Sequence, residues 1–187
     1  LPVRVSMSGH FVPVGRQQSI CAWRSKKEFI LFATGYTNMG AEILTIFAFQ
    51  IFFGYIYFQI GIIVTVFLAG LLPGAWLGQK AGRKNPLRTL RMLEAGLILI
   101  IACFLAGIVL AGEQLPVIIY LLFGFLVSCL CGFQFPVILS LSEDSNQFVT
   151  GAFSADLVGA ALGALIISTV LIPQFGIICA GRTLMVL

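Results

Sequence analysis

Charged residues are scarce in this sequence. Of its 187 residues, 10% are Asp, Glu, Lys or Arg and 59% are hydrophobic, whereas about a quarter of a soluble domain is charged. The charges lie mostly in short clusters, with long apolar tracts between them. Because about 20 apolar residues are enough to cross a bilayer, this composition excludes an ordinary soluble domain and predicts an all-α, polytopic bundle of transmembrane helices.

Patterns that bind metals or haem are also missing. The five cysteines form no Cys-x-x-Cys pair, and His10 is the single histidine. We therefore expect neither a metal site nor a cofactor, and we interpret the cysteines as small buried apolar residues. The net charge of +4 does not predict nucleic-acid binding, because the basic residues flank apolar tracts as they do in membrane proteins.

Turn-forming and polar residues divide the chain into a basic arm, 1–27, and a transmembrane domain, 28–187. The arm is predicted to be a linker or short strand-like segment that ends in a surface helix near Trp23. The chain begins without Met or a signal-peptide pattern and ends inside an apolar run, so we expect it to be part of a longer polypeptide. Five to six spans are predicted, at residues 29–53, 56–77, 90–110, 117–139, 152–172 and, incompletely, 177–187.

Lys and Arg residues lie on one side of these predicted spans. The arm and the 79–91 loop are basic, whereas the turns near residues 55, 114 and 174 contain no Lys or Arg. Positive charge marks the cytoplasmic side, so the N-terminus and the loops 79–91 and 142–150 are predicted to be cytoplasmic, in what we expect to be a prokaryotic inner membrane. The basic loop comprises Lys80, Arg83, Lys84, Arg88 and Arg91.

Small residues recur every fourth position on the second and fifth predicted spans. This spacing places them on one helix face, where they allow two backbones to approach closely. Static packing is the commoner role of such a ridge, and a moving interface in a transporter is the alternative. The two ridges are Gly70, Gly74 and Gly78, and Ala155, Gly159 and Gly163.

Three acidic residues, Glu42, Glu94 and Asp156, lie in or near the predicted spans. A charge at the centre of a bilayer costs about 3 kcal/mol, so Glu42, predicted near mid-span, should face the bundle interior and be protonated near pH 7. It either contributes to a proton, cation or ligand path or only joins helices by hydrogen bonds. For Glu94 and Asp156, nearer the cytoplasmic side, snorkelling or capping is expected. The candidate path comprises Glu42, Asn38, Gln50, Gln134 and Asp156.

Two membrane segments resemble the polytopic, spermidine-synthase-like membrane proteins. They are Gly40–Gly61, containing Gly-Ala-Glu-Ile-Leu, and Gly151–Gly176, containing Ser-Ala-Asp-Leu-Val-Gly-Ala-Ala-Leu-Gly-Ala. The arm at 7–14 is similar to the segment by which that family enters its membrane module, although His10 replaces an acidic residue. The resemblance, over about residues 7–176, implies a polyamine-related parent in which an aminopropyltransferase-like domain is fused to membrane helices.

The catalytic part of that family is absent from this sequence. No Gly-rich acidic run such as Gly-Gly-Gly-Asp-Gly occurs, and no soluble segment contains a cluster of paired aspartates. We therefore expect no catalytic residue and no enzymatic activity in this chain itself.

A second, weaker resemblance is to the major facilitator transporters. The segment Leu77–Lys84 looks like their cytoplasmic loop between the second and third helices, with Gln79 in place of the usual aspartate and Ala75 in place of the leading glycine. This resemblance implies a half-transporter-like arrangement.

Three hypotheses follow. The first is a non-catalytic membrane module of a spermidine-synthase-like protein, which anchors a cytosolic domain or assembles with other membrane subunits. The second is a half-transporter unit for a small polar or cationic solute. The third is a packing subunit of a larger membrane complex, for example a redox complex. In each case the bilayer is one partner, and another domain or membrane subunit is a second.

Overall fold

The computed structural model describes residues 14–54, 57–81, 86–111, 115–140 and 146–186, which are helical apart from short connections. The predicted all-α class is therefore confirmed. Arg83 and Lys84 of the basic loop lie outside the described residues, as does the arm up to residue 13. The helices are α1 Val14–Phe53, α2 Tyr57–Ala81, α3 Pro86–Ala111, α4 Val117–Ser140, α5 Asn146–Ile166 and α6 Ile172–Val186, with a π-helical turn Ile167–Leu171 between α5 and α6.

Four segments of the described chain are long and apolar enough to cross a membrane, as expected of an integral membrane protein. Three of them correspond to the predicted spans 56–77, 90–110 and 117–139. The fourth contains both predicted spans at the C-terminal end. The segments are Ile60–Lys80, Pro86–Leu110, Val117–Ser140 and Val149–Met185.

Helix α1 differs from the predicted first span in two respects. It is a single helix from Val14 onward, which includes the helix predicted near Trp23 and continues past residue 27, where the arm was predicted to end. It is also absent from the four apolar segments, since polar residues such as Asn38 and Glu42 interrupt its apolar sequence. α1 packs against α4, α5 and α6, and this central position buries its threonines Thr34, Thr37 and Thr45 in protein, where polar groups are least costly.

Helices α2 and α4 run parallel and pack through glycines. A Cβ atom placed on Gly74 would overlap the backbone of Cys129, and one on Gly78 would lie 2.5 Å from the carbonyl oxygen of Phe133. The contacts advance by four residues on both helices, which establishes the parallel direction. Glycine lets the two backbones approach this closely. All three members of the predicted ridge lie against α4, namely Gly70, Gly74 and Gly78.

Helices α1 and α5 form a second parallel pair of the same kind. A Cβ on Gly159 would overlap the backbone of Phe32, and one on Gly163 would lie 2.5 Å from the carbonyl oxygen of Tyr36. Here too the contacts advance by four residues on both helices. Ala155, the first member of this ridge, is partly exposed.

The two pairs match residue by residue. In each pair, the small residues of one helix pack against backbone carbonyl groups spaced four residues apart on the other helix. The small residues lie on α2 and α5, and the carbonyl groups lie on α4 and α1, respectively. In a third contact of each pair the glycine is on the other helix. Gly132 of α4 lies against the carbonyl oxygen of Leu71 in α2, and Gly35 of α1 lies against the carbonyl oxygen of Asp156 in α5. In this correspondence α1 takes the place of α4, and α5 takes the place of α2.

Gly176 turns the chain back into the bundle. Its φ of 76° and ψ of 174° lie in a region of backbone conformation that strongly favours glycine. Ile167 before it and Leu184 after it both lie next to Gly40 of α1, so the two segments run in opposite directions. This agrees with the turn predicted at residues 173–176.

Candidate functional site: a polar cavity in the helix bundle

A cavity of about 240 Å³ lies between α1, α3, α4 and α6. Four polar side chains from three helices face it: Thr34 and Thr37 of α1, Glu94 of α3 and Gln134 of α4. The rest of the lining is apolar and consists of Phe29, Ile30, Ala33, Leu97, Ile98, Leu184 and Met185.

The inner part of the cavity holds neutral polar groups. Thr34, Thr37 and Gln134 are all buried, and the Thr34 hydroxyl lies 2.7 Å from Oε1 of Gln134, to which it donates. The same hydroxyl lies 2.9 Å from the carbonyl oxygen of Ile30, one turn earlier on α1. The hydroxyl therefore has two acceptors within reach, and the amide of Gln134 is joined to α1 inside the bundle.

The mouth of the cavity carries the charge. Glu94 and Ile98 of α3 are exposed, and Phe29 of α1 is 60% exposed. Among the described residues that line the cavity, Glu94 is the only ionisable one. The lining thus changes from a carboxylate at the mouth to hydroxyl and amide groups at the closed end, with apolar walls between them.

The opposite end of the bundle is filled by aromatic rings. Tyr120 of α4 is fully buried, with Phe49 and Phe53 of α1 edge-on to its ring at 5.7 Å and Phe104 of α3 edge-on at 5.4 Å. Phe104 also stacks on Phe123 at 3.8 Å. The bundle is therefore packed shut at this end of α1, while the cavity lies towards the other end.

The structure brings one of the five predicted path residues to the cavity. That residue is Gln134, which with Asn38 and Gln50 was a candidate hydrogen-bond partner of Glu42 by type and depth, and it bonds to Thr34. Thr34 and Glu42 are eight residues apart on α1, which is about 12 Å along a helix, so Gln134 does not lie at the depth of Glu42.

The other four predicted path residues do not line the cavity. Glu42 and Asn38 are partly exposed, and Oδ1 of Asn38 is buried with no hydrogen-bond partner among the described residues. Gln50 is exposed. Asp156 is partly exposed and packs against Gly35 of α1, so it lies at the interface between α1 and α5.

Thr34 and Thr37 were not predicted from the sequence to be site residues, and Glu94 was predicted to snorkel or to cap a helix near the cytoplasmic side. Threonines in a membrane helix often bond to their own backbone, so the sequence gives little reason to single them out. Glu94 is the only acidic residue of α3, which could have drawn attention to it. Its position opposite Gln134 depends on how α3 and α4 pack, which no local pattern encodes.

The described residues of the basic loop, Lys80, Arg88 and Arg91, do not line this cavity. Lys80 is exposed, and its Nζ lies 3.6 Å from the ring centroid of Trp76 on the same helix, a cation–π contact. Arg88 and Arg91 at the start of α3 are also exposed.

No protein-family model, curated protein or solved structure matches the chain.

Proposed function

We propose that this chain is a non-catalytic integral membrane module with the helix arrangement of half a transporter, and that it moves a small polar or cationic solute. The observation that carries the proposal is the residue-by-residue match between the α2–α4 and α1–α5 pairs. In this match α1 corresponds to α4, and α2 corresponds to α5. That correspondence is expected if helices α4–α6 are a repeat of helices α1–α3 with the opposite orientation in the membrane.

Inverted repeats of this kind are typical of secondary transporters, in which the substrate site lies near the bilayer midplane at the interface between the repeats. The contacts described above match Phe32 with Cys129 and Tyr36 with Phe133. In the same register Thr34 matches Cys131 and Thr37 matches Gln134. A pseudo-twofold axis that relates the two halves of the chain would therefore pass through the inner end of the polar cavity, where a transporter site is expected.

The position of the axis also changes the depth assigned to the acidic residues. Gly35 matches Gly132 in this register, and Asp156 lies against Gly35. Under this proposal both Gly35 and Asp156 are therefore close to the level of the axis, and near the midplane if the axis lies in the membrane. Glu42 is seven residues, or about 10 Å, further along α1. Under this proposal Asp156, not Glu42, is the deeper acidic residue.

The resemblance of residues 40–61 and 151–176 to spermidine-synthase-like membrane proteins supports a related proposal. There the module would belong to a longer protein of the prokaryotic inner membrane, with a cytoplasmic N-terminus, and would hold a cytosolic domain or another membrane subunit at the bilayer. Anchoring and solute transport are compatible in one chain.

Transport is tested by reconstituting the full chain in liposomes and measuring uptake of radiolabelled choline, a permanently charged cation, and of radiolabelled sorbitol, a neutral polar solute. Neither crosses a bilayer readily. We expect uptake of at least one of them to exceed that of protein-free vesicles and to saturate as unlabelled solute is added. Uptake of both at the protein-free rate would contradict transport and leave anchoring as the better account.

A further inference from the structure

From the gradient of polarity along its lining, we infer that the cavity between α1, α3, α4 and α6 is a binding site for a small organic cation that has a hydrogen-bonding group at its far end. The inference rests on the proposed function, because it names the class of solute for the same cavity.

The charge of the solute follows from Glu94. It is the only ionisable side chain of the described lining, and it lies at the mouth, where it is exposed. An ionised carboxylate attracts cations and repels anions, more strongly beside apolar walls than in bulk water. Phe29 lies at the same mouth, and an aromatic ring also attracts a cation to its face.

The far end of the solute follows from the closed end of the cavity. There Thr37 and the hydrogen-bonded pair Thr34–Gln134 offer hydroxyl and amide groups inside a buried surface. Such groups favour a ligand that returns a hydrogen bond, because a purely apolar ligand would cover the donor and acceptor positions that the Thr34–Gln134 bond leaves unused. A hydroxyl or amide on the solute meets this requirement.

Size and shape limit the solute further. A volume of about 240 Å³ corresponds to about eight water molecules at ~30 Å³ each, which is smaller than the usual pocket of a drug-sized ligand. The apolar walls between the two ends suit methyl or methylene groups. Choline combines a quaternary ammonium, methyl groups and a hydroxyl at this size.

Equilibrium binding to the purified chain in detergent tests the inference. The probes are choline and 3,3-dimethylbutan-1-ol, which has the same shape and hydroxyl group but no charge. We expect choline to bind at least ~10-fold more tightly than the neutral alcohol, and Glu94→Gln to remove that preference by weakening choline about 10-fold or more, the usual scale of a charge-assisted contact. Equal binding of both probes, or an unchanged choline Kd in Glu94→Gln, would overturn the inference.

Two further variants separate charge from shape. Ala33→Leu adds bulk to the cavity wall and should weaken both probes, whereas Glu42→Gln removes a carboxyl that lies outside the cavity and should leave both Kd values within about twofold of wild type. If Ala33→Leu unfolds, the exposed position of Glu94 still keeps Glu94→Gln informative. Loss of choline binding in Glu42→Gln with normal thermal stability would move the site away from the cavity.

A quaternary ammonium could also come from a lipid headgroup. Titration with glycerophosphocholine distinguishes the sources, because its phosphate should be repelled by Glu94 and so weaken binding relative to choline. Tighter binding of glycerophosphocholine would overturn the assignment to a free solute. If choline binding depends on Glu94 but liposomes show no uptake, the binding site is supported and transport is refuted. If uptake occurs and Glu94→Gln leaves it unchanged, transport is supported and this binding site is refuted.

Discussion

At the scale of single residues, the pair Thr34–Gln134 predicts an asymmetric response to mutation. Thr34→Val leaves the buried Oε1 of Gln134 without its donor at 2.7 Å, which should lower the free energy of unfolding by about 1–3 kcal/mol. Gln134→Leu should cost less, because the Thr34 hydroxyl keeps the carbonyl oxygen of Ile30 at 2.9 Å.

Reversible unfolding of the three variants in mixed detergent measures this asymmetry. The double variant Thr34→Val/Gln134→Leu should recover part of the loss seen in Thr34→Val, because it removes the orphaned amide together with its donor. A larger cost for Gln134→Leu than for Thr34→Val would show that the amide makes contacts more important than this hydrogen bond.

The same residues show how far the candidate site could be predicted. The sequence indicated that Gln134 is a polar group within a span, because an amide inside an apolar tract must find a partner. It could not supply the partner, since Thr34 is 100 residues away in the chain and the contact depends on the register of α1 against α4. Glu94 was assigned to the surface because depth was counted along its own helix and not against the cavity.

At the scale of helices, the glycine ridges allow a matched test on α2. A Cβ on Gly74 would overlap the backbone of Cys129, so even Gly74→Ala should push α2 and α4 apart and lower the melting temperature in detergent. A Cβ on Gly61, on the same helix, would meet no atom of a neighbouring helix within 4 Å. Gly61→Ala should therefore be neutral or stabilising, by up to about 1 kcal/mol, as expected from helix propensity alone.

If both substitutions lowered stability equally, helix propensity or local lipid contact would explain the result and the ridge would have no special packing role. From the sequence, the spacing of four predicted that small residues would allow close approach. The structure is more restrictive at Gly74, where even a Cβ atom would overlap the backbone of Cys129. The identity of the partner helix was beyond prediction, because two parallel helices that pack through backbone have no complementary sequence signal.

At the scale of the whole molecule, the helical class and the positions of the four apolar segments were predictable because apolar tracts and turn residues are local features. The match between the two helix pairs was not, although both ridges were visible in the sequence. The ridges on α2 and α5 have the same spacing, but this spacing alone does not show that the two helix pairs are equivalent. The equivalence depends on the contacts of α2 with carbonyl groups of α4 and of α5 with carbonyl groups of α1. The polar cavity depends on the same tertiary arrangement, because its lining comes from four helices.

The orientation of the molecule is open to a direct test. α3 and α4 run antiparallel, since Phe104 packs on Tyr120 while Gly96 lies near Leu130. The basic residues cluster before α3 and in its first two turns, and not between α3 and α4. By the positive-inside rule, Asn85→Cys and Gln114→Cys, each in a chain whose five native cysteines are replaced, should react with a membrane-impermeant maleimide from opposite sides. We expect Gln114→Cys to label in intact cells and Asn85→Cys only in inside-out vesicles. Labelling of both from one side would require α3 to enter and leave by the same face, and with it the inverted repeat and the transporter-like arrangement would fail.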